Sequence, residues 1–121
     1  MTSFERVTPV LRIFDEEKAR EFYEGFLGFD VAFAHRFEPE TPIYMGLTLG
    51  EVYLHLSEHH GDASPGAHIR ISMDDVKSFC AELNEKGYKY ARPDVEGPMP
   101  WGGFEMTIAD PFGNRVTFAG S

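Results

Sequence analysis

A single cysteine among 121 residues excludes an internal disulfide framework and any cysteine-cluster zinc site. Positive charge is also scarce. Eleven Lys and Arg stand against twenty Asp and Glu, a formal net charge of −9. Nucleic-acid binders carry basic stripes that displace counterions from phosphates, so no nucleic-acid partner is expected. Long-range attraction favours cationic partners instead. No apolar run approaches the ~20 residues needed to cross a bilayer, so no membrane partner is expected. Residues 1–6 lack the basic start and apolar core of a secretory signal, and a cytoplasmic protein is the expectation. There is no Gly-x-Ser-x-Gly elbow, no phosphate-cradling glycine loop and no dinucleotide fingerprint. Gly102-Gly103 precedes a strand, whereas a phosphate cradle opens a helix.

What is present is a globular balance of 42% hydrophobic and 26% charged residues, fitting one domain over 1–121. The chain also repeats itself. An apolar strand, Val7–Phe14, stops at the N-cap residue Asp15. Ala19, Phe22, Tyr23 and Phe26 follow at helical spacing, and Gly28 ends the helix. In the second half, Ala67–Met73 alternates as a strand and stops at Asp74-Asp75. Val76, Phe79, Cys80 and Leu83 repeat the helical spacing up to Gly87. Asp15 and Asp75 stand 60 residues apart, Gly28 and Gly87 59 apart. Cys80 falls on the apolar stripe, which predicts a buried structural thiol.

Three strand-like runs follow each helix: Phe29–Phe37, Ile43–Leu49 and Glu51–Leu56, then Tyr88–Ala91, Phe104–Ala109 and Arg115–Phe118. Each half therefore reads β-α-β-β-β. The expected class is α+β, with a first module over about 4–57, a linker at 58–66 and a second module over about 67–121. A sheet with one helix covers one face and leaves the other needing a partner, so two such units can enclose a cleft.

Val10–Asp15 leading to Glu21-Phe22-Tyr23 and Leu27-Gly28-Phe29 resembles the opening of the vicinal oxygen chelate superfamily, which holds glyoxalase I, extradiol dioxygenases and bleomycin resistance proteins. Pro100-Trp101-Gly102, Glu105 and Asp110-Pro111-Phe112-Gly113-Asn114 resemble its closing section, the Pro-Trp-Gly segment being similar to the bleomycin-resistance branch. The resemblance implies an interlocked, strand-swapped homodimer. Each cleft would be lined by the first module of one chain and the second of the other. Pro9 resembles the position where the first strand departs toward its partner.

In the resembled enzymes a divalent metal is held by four slots, which fall here at Thr8, His55, His68 and Thr117. Imidazoles ligate metals well and neutral hydroxyls poorly, and a catalytic metal takes about three protein ligands. No metal or other cofactor is therefore expected. A divalent ion on His55 and His68 is the alternative, and with it a metal-dependent lyase, isomerase or dioxygenase. Glu58, His59 and His60 are read as a polar linker rather than ligands.

The chain is 14% aromatic. Phe33, Phe37, Tyr44, Trp101 and Phe104 lie on or beside strands that would line the cleft, where flat rings stack planar ligands and hold cations. Asp30, with Glu38 and Glu40, would supply a negative rim. The expected ligand residues are Asp30, Phe33, Phe37, Tyr44, His55, His68, Trp101 and Phe104, and no catalytic residue is assigned. The expected function is binding and sequestration of an aromatic, cationic small molecule such as a bleomycin-like antibiotic. An adaptor that uses the fold only for protein contacts is a third class.

Overall fold

The computed structural model describes residues Met1–Ser121. Two mixed sheets and two helical segments follow the order read from the sequence, giving an α+β fold. The first half holds β1 (Val10–Arg12), α1 (Glu16–Ala19) continuing as a π-helical stretch (Arg20–Phe26), β2 (Asp30–His35), β3 (Tyr44–Leu49) and β4 (Val52–Ser57). The second holds β5 (His68–Met73), α2 (Val76–Glu85), β6 (Phe104–Ala109) and β7 (Arg115–Gly120). The sheet orders are β1-β4-β3-β2 and β5-β7-β6, with the pairs β1–β4 and β5–β7 parallel and the rest antiparallel.

Both helices begin as their sequences dictate. The Asp15 side chain accepts the Lys18 N–H at 2.9 Å, and Asp75 accepts the Ser78 N–H and hydroxyl, so each cap satisfies donors that have no helical partner. The first helix widens after Ala19, where Leu27 N–H donates to the Phe22 carbonyl five residues back. Phe22, Tyr23 and Phe26 are buried, as are Val76, Cys80 and Leu83 of α2, which packs on β6 and β7. The Cys80 thiol donates to the Pro93 carbonyl at 3.3 Å, and burial pushes its pKa up, as a structural thiol requires.

Two strand expectations are corrected. The first strand pairs only over Val10–Arg12 rather than from Val7. Proline 9 has no N–H to give, although its carbonyl accepts the His55 N–H at 2.9 Å. Phe4 and Val7 ahead of it are exposed. Tyr88–Ala91 is not a strand, and the second sheet has three strands instead of four. The Tyr88 ring instead stacks on Phe26 at 4.7 Å and meets Phe22 at 6.1 Å, drawing this segment onto the first half. Pro93, Pro98 and Pro100 deprive the next stretch of ladder donors. A single bridge, Glu96 to Glu105, stands beside β6 in its place.

The halves meet around the Asp110–Asn114 turn. Asp110 is buried and accepts from the Tyr23 hydroxyl at 2.6 Å, from Asn114 Nδ2 and from the Phe112 and Asn114 N–H groups. Asn114 in turn donates to the Arg12 carbonyl at 2.9 Å and accepts the Ala67 N–H at 3.2 Å. Burial, then the Asp110 charge, push the Tyr23 hydroxyl far above its usual range, so it remains a donor. Lys86 Nζ adds a bond to the Phe26 carbonyl at 2.6 Å, at the C-terminal end of the helix where carbonyls lack helical partners.

Candidate functional site

Strand alternation sorts the first sheet into two faces. Leu11, Met45, Leu47, Leu54 and Leu56 are buried in the core. The opposite face carries three cross-strand rows: Asp30–Thr48–Tyr53, Phe33–Gly46–His55 and His35–Tyr44–Ser57. A register shift between Val31 and Phe33 puts both Asp30 and Phe33 on this open face, which an unbroken alternation would not. The expected residues Asp30, Phe33, Tyr44 and His55 therefore stand together.

Their geometry is specific. The rings of Phe33 and Tyr44 are parallel within 6° at 6.3 Å, and His55 meets both edge-on, at 5.4 and 5.2 Å. The Tyr44 hydroxyl and His55 Nδ1 share a hydrogen bond of 2.8 Å. Burial, then the Asp62 charge, raise the Tyr44 pKa, so the phenol stays neutral at ordinary pH. Phe37 lies beyond the end of β2 and extends this surface outward, edge-on to His35 at 4.9 Å and to His59 at 6.2 Å. His35 and His59 were not among the expected site residues. The alternation Phe33, His35, Phe37 was the signal for the first; nothing local pointed to the second.

The open face of the second sheet is polar. Its rows are His68–Arg115–Ala109, Arg70–Thr117–Thr107 and Ser72–Ala119–Glu105. His68 Nε2 shares a hydrogen bond with Thr117 Oγ1 at 2.7 Å, and Thr117 shares another with Thr107 at 2.8 Å. Arg70 makes a two-point bond to Glu105, and Trp101 Nε1 donates to the same carboxylate at 2.8 Å. Arg70, then Trp101, hold the Glu105 carboxyl below its ordinary range. Trp101 itself is 68% exposed. Sequence reading missed Arg70 and the contact role of Glu105, because their pairing depends on which strands are neighbours.

Phe104 stands apart from the other expected residues. It shares a face with Met106 and Ile108, in the row Met73–Gly120–Phe104, and the Lys77 ammonium sits 3.9 Å from its ring centroid. The ring is therefore on the side covered by α2. The alternation Phe104, Met106, Ile108 carried that signal.

No hydrogen bond or ring contact within one chain joins the Phe33–Tyr44–His55 set to the His68–Thr117 or Trp101 set. A cavity of about 550 Å³ lies elsewhere, between Asp15–Glu21, Tyr88–Tyr90 and Ala109–Pro111. Inside a single chain the two sets of expected residues are thus not brought into contact. Within one chain the four family slots do not assemble a site for a catalytic divalent metal. Thr8 lies outside the strands, His55 and His68 belong to different sheets, and each already bonds a hydroxyl. Within one chain no three His, Cys, Asp or Glu side chains converge, whereas a catalytic ion takes about three protein ligands. Glu58 accepts the Ile43 N–H at 2.9 Å and faces Arg36 at 3.7 Å, so its carboxylate is engaged in closing the loop.

A family model described as glyoxalase superfamily protein matches residues 1–121. No curated protein is significantly similar in sequence. Among solved structures, an antibiotic-binding protein from Streptomyces sp. CB03234 is 25% identical, covering 99% of this chain and 98% of its own, with a TM-score of 0.75. A bleomycin-binding protein from bleomycin-producing Streptomyces verticillus, complexed with copper(II)-bleomycin, is 26% identical over 100% of this chain and 99% of its own, with a TM-score of 0.72. A glyoxalase/bleomycin resistance protein from Streptomyces sp. CB03234 is 26% identical over 93% and 96%, with a TM-score of 0.70.

Proposed function

This chain belongs to the glyoxalase superfamily, and from that footing we propose that it binds and sequesters an aromatic, cationic small molecule of the bleomycin type, without a resident metal. The observation that carries the reading is the open aromatic surface of Phe33, Tyr44 and His55. Its rings are held in place by one another and by the Tyr44–His55 hydrogen bond, yet Phe33 remains 45% exposed. Planar ligands gain most from such flat, preset walls. Trp101 offers a second wall on the other sheet, and Asp30 and the net charge of −9 favour a cation at the rim. Two solved structures of at least 25% identity are described as antibiotic-binding and bleomycin-binding proteins, which supports the same ligand class.

Two sets of candidate residues that make no contact within one chain call for a second copy. In the proposed homodimer the aromatic face of one protomer lies across from the Trp101 face of its partner, and each cleft takes one ligand. The exposed Phe4 and Val7, ahead of Pro9, are available to cross to the other protomer. No helix is long and apolar enough to cross a membrane.

The test is titration of metal-free and copper-loaded bleomycin into the protein, read by isothermal calorimetry and, where Trp101 is present, by its fluorescence. Quenching is expected, and Trp101→Ala should cost about 1–3 kcal/mol, roughly five- to 150-fold in affinity. Absence of binding at ~100 μM, weaker than about −5.5 kcal/mol, removes drug sequestration. Stoichiometric metal in the purified protein, lost on His55→Ala or His68→Ala, would replace this reading with a metal-dependent enzyme.

A further inference from the structure

We propose that Arg70 and Glu105 are positioning residues that hold the Trp101 indole in one orientation before any ligand arrives. The role in ligand binding rests on the reading of Trp101 as a cleft wall. An aromatic side chain that is 68% exposed has little packing to choose its rotamer, so its orientation has to come from a polar contact. Only one is available: the indole N–H, which donates to Glu105 Oε2 at 2.8 Å.

That acceptor is itself fixed in plane and in position. Arg70 donates from NH1 to Oε1 at 3.1 Å and from NH2 to Oε2 at 2.8 Å, the two-point geometry that orients a carboxylate as well as holding it. Arg70 has no other acidic partner. The Glu105 backbone is anchored independently, exchanging hydrogen bonds of 3.0 and 2.8 Å with Glu96.

The loop that presents the indole is equally constrained. Met99 N–H donates to the Gly103 carbonyl at 2.9 Å, and Gly102 N–H to the Met99 carbonyl at 2.8 Å, closing a turn around Trp101. Gly103 adopts φ +78°, and a Cβ there would lie 2.6 Å from the Gly120 carbonyl oxygen, so glycine lets the loop sit directly on β7. With the backbone held on both sides, the side-chain torsions of Trp101 are the freedom left, and the Arg70–Glu105 pair removes it. Ordering a rotamer-rich side chain in advance spares that cost when the ligand binds.

Trp101 is the only tryptophan, so its emission reports this one ring. The experiment compares time-resolved anisotropy and bleomycin affinity for wild type, Arg70→Ala, Arg70→Lys and Glu105→Ala, with the same Arg70 change in a Trp101→Phe background. An ion pair whose arginine is half exposed contributes little to stability, so the thermal midpoints of the Arg70 variants should stay near wild type. Faster local decay is expected in Arg70→Ala and Glu105→Ala, with roughly two- to twelve-fold weaker drug binding. Arg70→Lys, which keeps the charge and not the fork, should restore only part. In the Trp101→Phe background Arg70→Ala should change affinity no further. Unchanged local decay in both alanine variants overturns the proposal, whether or not the wild type binds drug. So does a loosened indole with undiminished affinity in a protein that binds. A loosened indole in a wild type that binds no bleomycin upholds the clamp and removes the sequestration reading alone.

Discussion

The ring of Phe33 lies across Gly46 of the neighbouring strand, so close that a methyl group at position 46 would sit 2.2 Å from the ring's Cε1. Glycine in a central strand weakens the strand, and here it marks a close approach from above. The missing side chain lets Phe33 lie flat, parallel to Tyr44 and edge-on to His55. The aromatic surface is thus set by a residue that contributes no ring to it.

Gly46→Ala is expected to fold, because Phe33 has an exposed side onto which it can swing. The displaced ring loses its aromatic neighbours, a loss of about 0.5–1.5 kcal/mol. Bleomycin affinity should fall roughly two- to twelve-fold. Titration of Gly46→Ala, Phe33→Ala and the double variant checks this. Independent, additive losses would show that Gly46 acts other than through Phe33.

Tyr23→Phe removes one of four donors from the buried Asp110 carboxylate. A hydrogen bond to a charged group contributes about 1.5–3 kcal/mol, so the melting temperature should drop by several degrees. The bond joins the π-helical stretch to the Asp110–Asn114 turn, 87 residues along the chain, so the loss should be global and two-state. Thermal denaturation by circular dichroism measures it. An unchanged Tm would mean that the turn is held by Asn114 without the phenol.

Acid should release Trp101 late. Arg70 and Trp101 depress the Glu105 pKa below the usual 4.5, so the carboxylate's contribution is complete above that value. It is lost as the pH falls through the lowered folded-state pKa. The change in Trp101 emission should therefore have its midpoint below pH 4.5, with far-UV circular dichroism tracking unfolding separately. In Arg70→Ala the same change should move upward, toward the ordinary glutamate range. A wild-type transition centred at or above 4.5 would contradict the assignment.

Much of the fold was legible in the residues. The Asp15 and Asp75 caps, the helical spacing of Phe22, Tyr23 and Phe26 and of Val76, Cys80 and Leu83, and the alternation of the later strands are local signals, and each is observed. The family resemblance is upheld over the whole chain. Tyr88–Ala91 was misread because strand propensity is a weak preference. There it lost to the burial of Tyr88 against Phe22 and Phe26, more than sixty residues away. The sequence by itself determined the two helix starts and the alternation of faces, both properties of neighbouring residues. Tertiary structure alone decided that Phe33 rests on Gly46, that Tyr23 reaches Asp110, and that Arg70, Glu105 and Trp101 meet, because strand order and register set those contacts and neither is written in any one segment.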